Sequence, residues 1–147
     1  MVDLQQYEEY WSGIPGRIPQ VKKVVPATFD PDMGSLVQGL KAEELPALFF
    51  IIPNARGKSP NVDDIREANL CVVFLMDKTD PQRKGTYQVL KELQPVMEKI
   101  KTQMIDDKAA GCHLLSRLDL SSLSTIPEAG FYSVFAGWSL GFEFETP

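Results

Sequence analysis

The final stretch of the chain, GFYSVFAGWSLGFEFETP (Gly130 to Pro147), constrains the fold more than any other. Every even position from Tyr132 to Phe144 is apolar: Tyr132, Val134, Ala136, Trp138, Leu140, Phe142 and Phe144. A period of two describes one face of a β-strand. A strand from Phe131 to Glu145 would span about 50 Å at about 3.3 Å per residue. A globule of this chain length is only about 40 Å across. The strand is therefore expected to bend, at Ala136-Gly137 or at Gly141, or to leave the body at its end. Apart from Phe135, the odd positions in its middle are small: Ser133, Gly137, Ser139 and Gly141. A glycine and serine face lets another backbone or sheet come close. Glu143 and Glu145 put charge on that same face, which discourages indiscriminate pairing. Two readings stay open: a central strand of the chain's own sheet, and a strand that also contributes to a subunit interface.

The chain has 147 residues, enough to bury a core without metals or disulfides. A single domain, 1–147, is expected. The net charge of −5 leaves no basic surface to displace counterions from phosphates, which argues against a sequence-blind nucleic-acid binder. Cys71 and Cys112 are the only cysteines and belong to no CxxC pair; two reduced, partly buried thiols are expected. The opening MVDLQQYEEYW is polar and acidic where a signal peptide would be basic and then apolar. No apolar run approaches the length of a membrane span. These features predict a cytoplasmic protein with no membrane partner.

Asp3 is placed to cap a short first helix with Leu4, Tyr7 and Trp11 on one side, and Gly13, Pro15, Gly16 and Pro19 to end it. Lys22 to Thr28 reads as extended and Ser35 to Leu40 as a helical turn. Ala47–Ile52 (ALFFII) and Leu70–Met76 (LCVVFLM) are continuous apolar runs, expected as strands buried on both faces. Glu67-Ala68-Asn69 reads as a turn before the second run. The polar segment between the runs, Asn54 to Asn69, is expected as an exposed excursion that orders against a partner. Asp80-Pro81 has the form of a helix start. Beyond it Leu90, Leu93, Met97, Ile100 and Met104 form one apolar stripe, with Pro95 expected to kink the helix and Gly111 to end it. Leu114–Leu120 is then expected as a strand and Ser121–Glu128 as a turn region. The order predicts α+β: a mainly antiparallel sheet of four or more strands, one long kinked helix packed on a face, and a short N-terminal helix.

No motif spells out a reaction. Gly57-Lys58-Ser59 imitates the end of a phosphate-binding loop, but the glycine required upstream is Ile52, and Pro60 follows where a helix should start. Asp30 and Asp32 flank Pro31, yet Leu36 and Gln38 stand where a calcium loop would carry further oxygen ligands; a turn is expected. The adjacent pairs Asp63-Asp64 and Asp106-Asp107 point apart on any regular element and read as solvated. Asp77 and Asp80 follow a buried strand, with capping the expected role of Asp80. His113 is the sole histidine, with no GxSxG serine and no useful pairing with its neighbour Cys112. No catalytic, cofactor-binding or metal site is expected, and the methionines of the stripe read as core.

The N-terminal helix, the strand pair with its long loop (Ala47 to Met76), the long helix after Asp80-Pro81 and the closing GWSLGFEFE together resemble small phage-type tail proteins. The resemblance is to tail-terminator and minor-tail families of phages and integrated prophage-like elements. It implies a non-enzymatic α+β subunit that forms rings, often hexameric, on the end of a tail tube. It carries over no ligand or catalytic residue. The expected function is thus a structural assembly subunit with protein partners, a homo-oligomer included. Its interface candidates are Arg56, Lys58, Asp63, Asp64, Arg66, Trp138 and Glu143. For the loop residues the plain alternative is solvated charge, and for Trp138 it is core packing. Two other functions stay open: a ligand-binding or enzymatic domain with a helix–sheet pocket around Asp77, Asp80 and His113, and a monomeric partner-binding module using the loop alone.

Overall fold

A computed structural model describes residues 1–28, 32–131 and 134–147. Asp3 caps α1 (Leu4–Ser12): its carboxylate accepts the backbone N–H of Gln5 at 2.9 Å and of Gln6 at 3.4 Å. Gly13 ends α1, and the single turn α2 (Ile14–Arg17) follows. Tyr7 and Trp11 are buried, whereas Leu4 stays in solvent. β1 (Lys23–Ala27), α3 (Asp32–Gln38) and a 3-10 turn (Ala42–Glu44) lead into β2 (Ala47–Ile51). All five residues of β2 are buried, as the unbroken apolar run required.

The architecture is the expected α+β one. Six strands form one sheet in the order β1-β2-β4 (Glu67–Lys78)-β6 (Phe135–Thr146)-β5 (Leu118–Phe131), with a further short strand beside β4, and β1–β2 is its parallel pair. The other pairings are antiparallel. β4 (Glu67–Lys78) is paired along its whole length with β6 (Phe135–Thr146). The long helix α4 (Thr86–Ala109) packs across the sheet.

Several boundaries differ from expectation, each for a physical reason. The last strand does not start at Phe131: that residue closes β5 (Leu118–Phe131) and pairs with Phe135. Tyr132 and Ser133 lie outside the described residues. The twelve residues of β6 span about 40 Å, which fits the globule, and Thr146 stays paired with Glu67, so its end does not leave the body. Ser121–Glu128 is not a turn but most of β5. The serines misled because the strand bulges there: between Asp119 opposite Glu143 and Ser124 opposite Gly141 it carries four residues against one. Leu114 to Arg117, expected in a strand, precede β5.

The helix does not start at Asp80. Asp80 instead closes a tight turn: its carboxylate accepts Gln82 N–H at 3.0 Å, and its backbone pairs with Lys84. Gly85 is the residue ahead of the first helical turn. Pro95 lies inside α4, and the helix continues through it. Glu67-Ala68-Asn69 is no turn but the first part of β4. Asn54–Gly57 forms β3, which pairs with that part of β4, so the excursion is a hairpin arm. β2 and β3 run along the same side of β4 with one extra residue between them, at Ile52-Pro53.

The two faces of the sheet are covered unequally. On one, α1, α2 and α4 bury Leu48, Phe50, Val73, Leu75, Leu140, Phe142 and Phe144. On the other, Val37 of α3 joins Val25, Phe49, Phe74 and Met76 in a smaller core over β1, β2 and part of β4.

Candidate assembly surface

The register fixes which residues share the second face. Val25, Phe49, Phe74, Ser139 and Ile126 lie in one row across the strands, because paired residues point to the same side. Val72, Gly141 and Ser124 form the row beside it, and Leu70 stands opposite Glu143. The β1 side of these rows lies under the small core, while toward β5 the exposed aliphatics include Leu70 (40% exposed) and Ile126 (53%). Between their rows lies Gly141, half-buried; Ser139, in the row of Ile126, and Gly137 beyond it are buried. The small-residue face read from the sequence therefore forms a shallow trough that is open only at Gly141 and closed over Ser139 and Gly137. Ser139 Oγ donates to Glu128 Oε1 at 2.7 Å across it.

Gly137 has a further reason to lack a side chain. A Cβ there would sit 1.8 Å from the Leu75 carbonyl oxygen. At Gly141 the nearest atom would be the Ser124 carbonyl oxygen at 3.9 Å, an ordinary contact. Only the first glycine is dictated by the approach of β6 to β4.

A strip of paired charge borders the trough where the arm begins. Glu143 receives Arg56 Nη2 at 3.2 Å and lies 3.6 Å from Lys58 Nζ. Glu145 is 2.8 Å from Lys58 Nζ and 3.7 Å from Arg66 Nη1, and Arg66 also holds Asp64 through Nε at 2.7 Å. Hydrogen bonding from Lys58 holds the Glu145 carboxyl below its ordinary range, and the same contact raises the Lys58 ammonium. Arg66 likewise lowers Asp64. The strip thus sets three cations, Arg56, Lys58 and Arg66, against three carboxylates, Asp64, Glu143 and Glu145.

Five of the seven sequence candidates, Arg56, Lys58, Asp64, Arg66 and Glu143, are brought together in this strip. Asp63 is not among them: it projects from the arm, and its carboxylate has no partner among the described residues. Trp138 lies on the opposite face, half-buried against the main core, where Nε1 donates to the Leu90 carbonyl at 2.9 Å. Glu145, Leu70 and Ile126 were not singled out. Glu145 was in plain view two residues after Glu143, but the register that exposes Leu70 and Ile126 depends on the bulge in β5.

Asp77, Asp80 and His113 do not converge. Asp77 pairs with Lys84 at 3.2 Å just ahead of α4, whereas His113 follows its end. The 24 residues of α4 separate them by about 36 Å. Between helix and sheet the space is filled by Leu93, Met97, Ile100 and Met104, all buried. His113 lines a separate recess of about 330 Å³ with Gln6, Arg117 and Phe144. Lys58 of the Gly57-Lys58-Ser59 triplet is occupied by its carboxylates, and Ser59 Oγ accepts Arg66 N–H at 2.9 Å. Among the described residues no group of three or more His, Cys, Asp or Glu side chains is placed to hold a metal. Asp30 and Pro31 of the acidic turn lie outside the described residues. Cys71 and Cys112 are both free thiols. No helix among the described residues is long and apolar enough to cross a membrane.

Neither the family models nor the curated proteins with which the chain was compared contain a match.

Proposed function

We propose that the chain is a structural assembly subunit that associates with copies of itself, in the manner of phage tail-terminator proteins, and docks on a tube or neck. The observation that carries this reading is the half-covered second face. α3 and its neighbours close the sheet over β1, β2 and part of β4, leaving Leu70 and Ile126 in solvent on either side of half-buried Gly141. Exposed aliphatics gathered on one rigid face are characteristic of surfaces that meet another protein. The neutralised charge strip beside them supplies a polar rim. Asp77 and Asp80 stand apart from His113, so the three do not share the helix–sheet pocket expected of them.

Light scattering on a size-exclusion column, over a wide concentration range, tests this. A ring-sized mass, or one that grows with concentration, is expected. A constant 16.5 kDa throughout would refute self-association.

A further inference from the structure

After α4 the chain makes a closely tied turn. Cys112 N–H is given to the Asp107 carbonyl at 2.8 Å, Ser116 Oγ to the His113 carbonyl at 3.0 Å, and Leu118 N–H to the Leu115 carbonyl at 2.9 Å. Lys108 Nζ holds the Ser116 carbonyl at 2.9 Å, and fully buried Leu115 anchors the turn in the core. The Arg117 carbonyl accepts Glu145 N–H at 3.3 Å, which fixes the turn against β6. This frame holds His113 and Arg117, both exposed, on the lining of the recess of about 330 Å³, together with Asp3 and Gln6 from the start of α1. Leu114, with Val2 and Phe144, supplies its apolar wall.

The charged groups around the recess are unequally engaged. The Met1 amine is given to Glu67. The Asp3 carboxylate accepts the N–H groups of Gln5 and Gln6, and Glu145 is held by Lys58 at 2.8 Å. The His113 imidazole and the Arg117 guanidinium have neither a hydrogen bond nor an ion pair among the described residues. The charge of Arg117 reaches Asp64, but that carboxylate already receives two bonds from Arg66.

We infer that this recess binds a small, singly charged carboxylate with an apolar body, its carboxylate received by Arg117 and His113 and its body laid against Leu114. A guanidinium presents its donors in a fork that matches the two oxygens of a carboxylate. A recess of about this volume, with an apolar wall and a few convergent polar groups, is of the size that takes a small molecule. The lining also sets the ligand's charge. A neutral ligand leaves the Arg117 charge unmatched, whereas Asp3 and Glu145, both on the lining, oppose a second negative charge. A phosphate is therefore the poorer ligand. The hollow on the other flank of Arg117, about 570 Å³, is lined by Asp63, Asp64 and Glu145 and disfavours any anion, so the ligand belongs on the His113 side. This site does not depend on the self-association proposed above.

Benzoate is the probe. His113 is the sole histidine, so labelling the full-length chain with ¹³C-histidine gives one ring signal, placed at the recess. Benzoate should shift that signal along a single saturable curve. Arg117→Ala should weaken the apparent affinity at least about tenfold, the effect of losing a hydrogen bond to a charged group. Circular dichroism verifies the fold of the variant; if the alanine chain unfolds early, Arg117→Lys keeps the charge, loses the fork and should weaken binding in the same direction. Benzamide, which has the same shape without the charge, and inorganic phosphate should each bind at least about tenfold more weakly than benzoate. A shift that stays linear in benzoate, an affinity unchanged by the Arg117 variants, or benzamide binding as well as benzoate would overturn the site. Phosphate binding as tightly as benzoate would overturn the choice of a singly charged carboxylate.

Discussion

Asp107 is where the N-terminal helices are tied to the end of α4, and Asp107→Ala tests how much that tie contributes. Its Oδ2 accepts Tyr10 Oη at 2.8 Å and Arg17 Nη1 at 2.6 Å, and its Oδ1 accepts Gln103 Nε2 at 2.9 Å. The Arg17 guanidinium also lies 5.1 Å from the centre of the Tyr10 ring. Hydrogen bonds to a charged group contribute about 1.5–3 kcal/mol each, and a buried hydroxyl left without a partner costs about 1–3 kcal/mol. Gln103 sits one turn back on the same helix and Arg17 is partly solvated, so their shares fall below those values. We expect a loss of about 3 kcal/mol at pH 7, dominated by Tyr10, or about 6–12 °C in Tm for a chain of this size.

The pH dependence makes the test sharper. Burial pushes the Asp107 carboxyl up, but the bonds from Tyr10, Arg17 and Gln103 outweigh it and hold the group below its ordinary value. Burial and the Asp107 carboxylate drive the Tyr10 hydroxyl far above its ordinary range, so it remains a donor throughout. A depressed folded-state value means that the stabilisation is fully present above the unfolded value, about 3.9, and is lost as pH falls through the folded one. Urea unfolding of wild type and variant between pH 7 and pH 2.5 should show a gap that is constant above about pH 5 and closes toward the acid end. A gap under about 1 kcal/mol at pH 7 would refute the reasoning. So would one that does not change on acidification.

Gly137→Ala should destabilise by at least about 2 kcal/mol in denaturant unfolding, since its Cβ would meet the Leu75 carbonyl at 1.8 Å and backbone must move. Gly141→Ala, with 3.9 Å to spare, should stay within about 1 kcal/mol of wild type. Burial pushes the Cys71 thiol up to about 12, so at pH 8 a thiol reagent should label the native chain once, at half-exposed Cys112, and twice only in denaturant. Equal native reactivity of both cysteines would contradict the packing of Cys71.

Where sequence chemistry is local, the fold could be read directly. Asp3 caps a helix because a short acid precedes an amphipathic run, and Ala47 to Ile51 is a buried strand because nothing polar interrupts it. The failures share one cause. Ser121 to Glu128 and Glu67 to Asn69 look like turns in isolation, but each is held in a strand by a neighbour distant in sequence. Asn69 is the clearest case: fully buried, it accepts Val2 N–H at 3.0 Å and donates to the Phe144 carbonyl at 3.2 Å and Thr146 Oγ1 at 3.0 Å. Three partners, at both ends of the chain, make an asparagine acceptable inside a sheet. The charge strip was legible as residue types and the trough as an alternation. That they adjoin became visible only with the register between β3, β4 and β6.

The edges of the sheet bear on how copies could meet. Thr79 N–H donates to the Val134 carbonyl, so the even residues of β6 exchange their backbone bonds with β4 and the odd residues with β5. Pro127 stands opposite Trp138, an even residue, and therefore turns its nitrogen to the open edge, where it removes a donor. Farther along β5 the bulge after Asp119 breaks the ladder again. The opposite edge, β1, turns the Val24 and Pro26 backbone outward, because the Ala27 carbonyl already accepts Ile52 N–H on the β2 side, and Pro26 has no donor to offer a further strand. Lysine at that edge opposes strand addition. With both edges guarded by residues that resist pairing, a sheet-to-sheet ladder between copies is disfavoured. The second face carries its charges already matched in pairs, with Leu70 directly opposite Glu143, so association there would meet a neutralised rim rather than an open ladder.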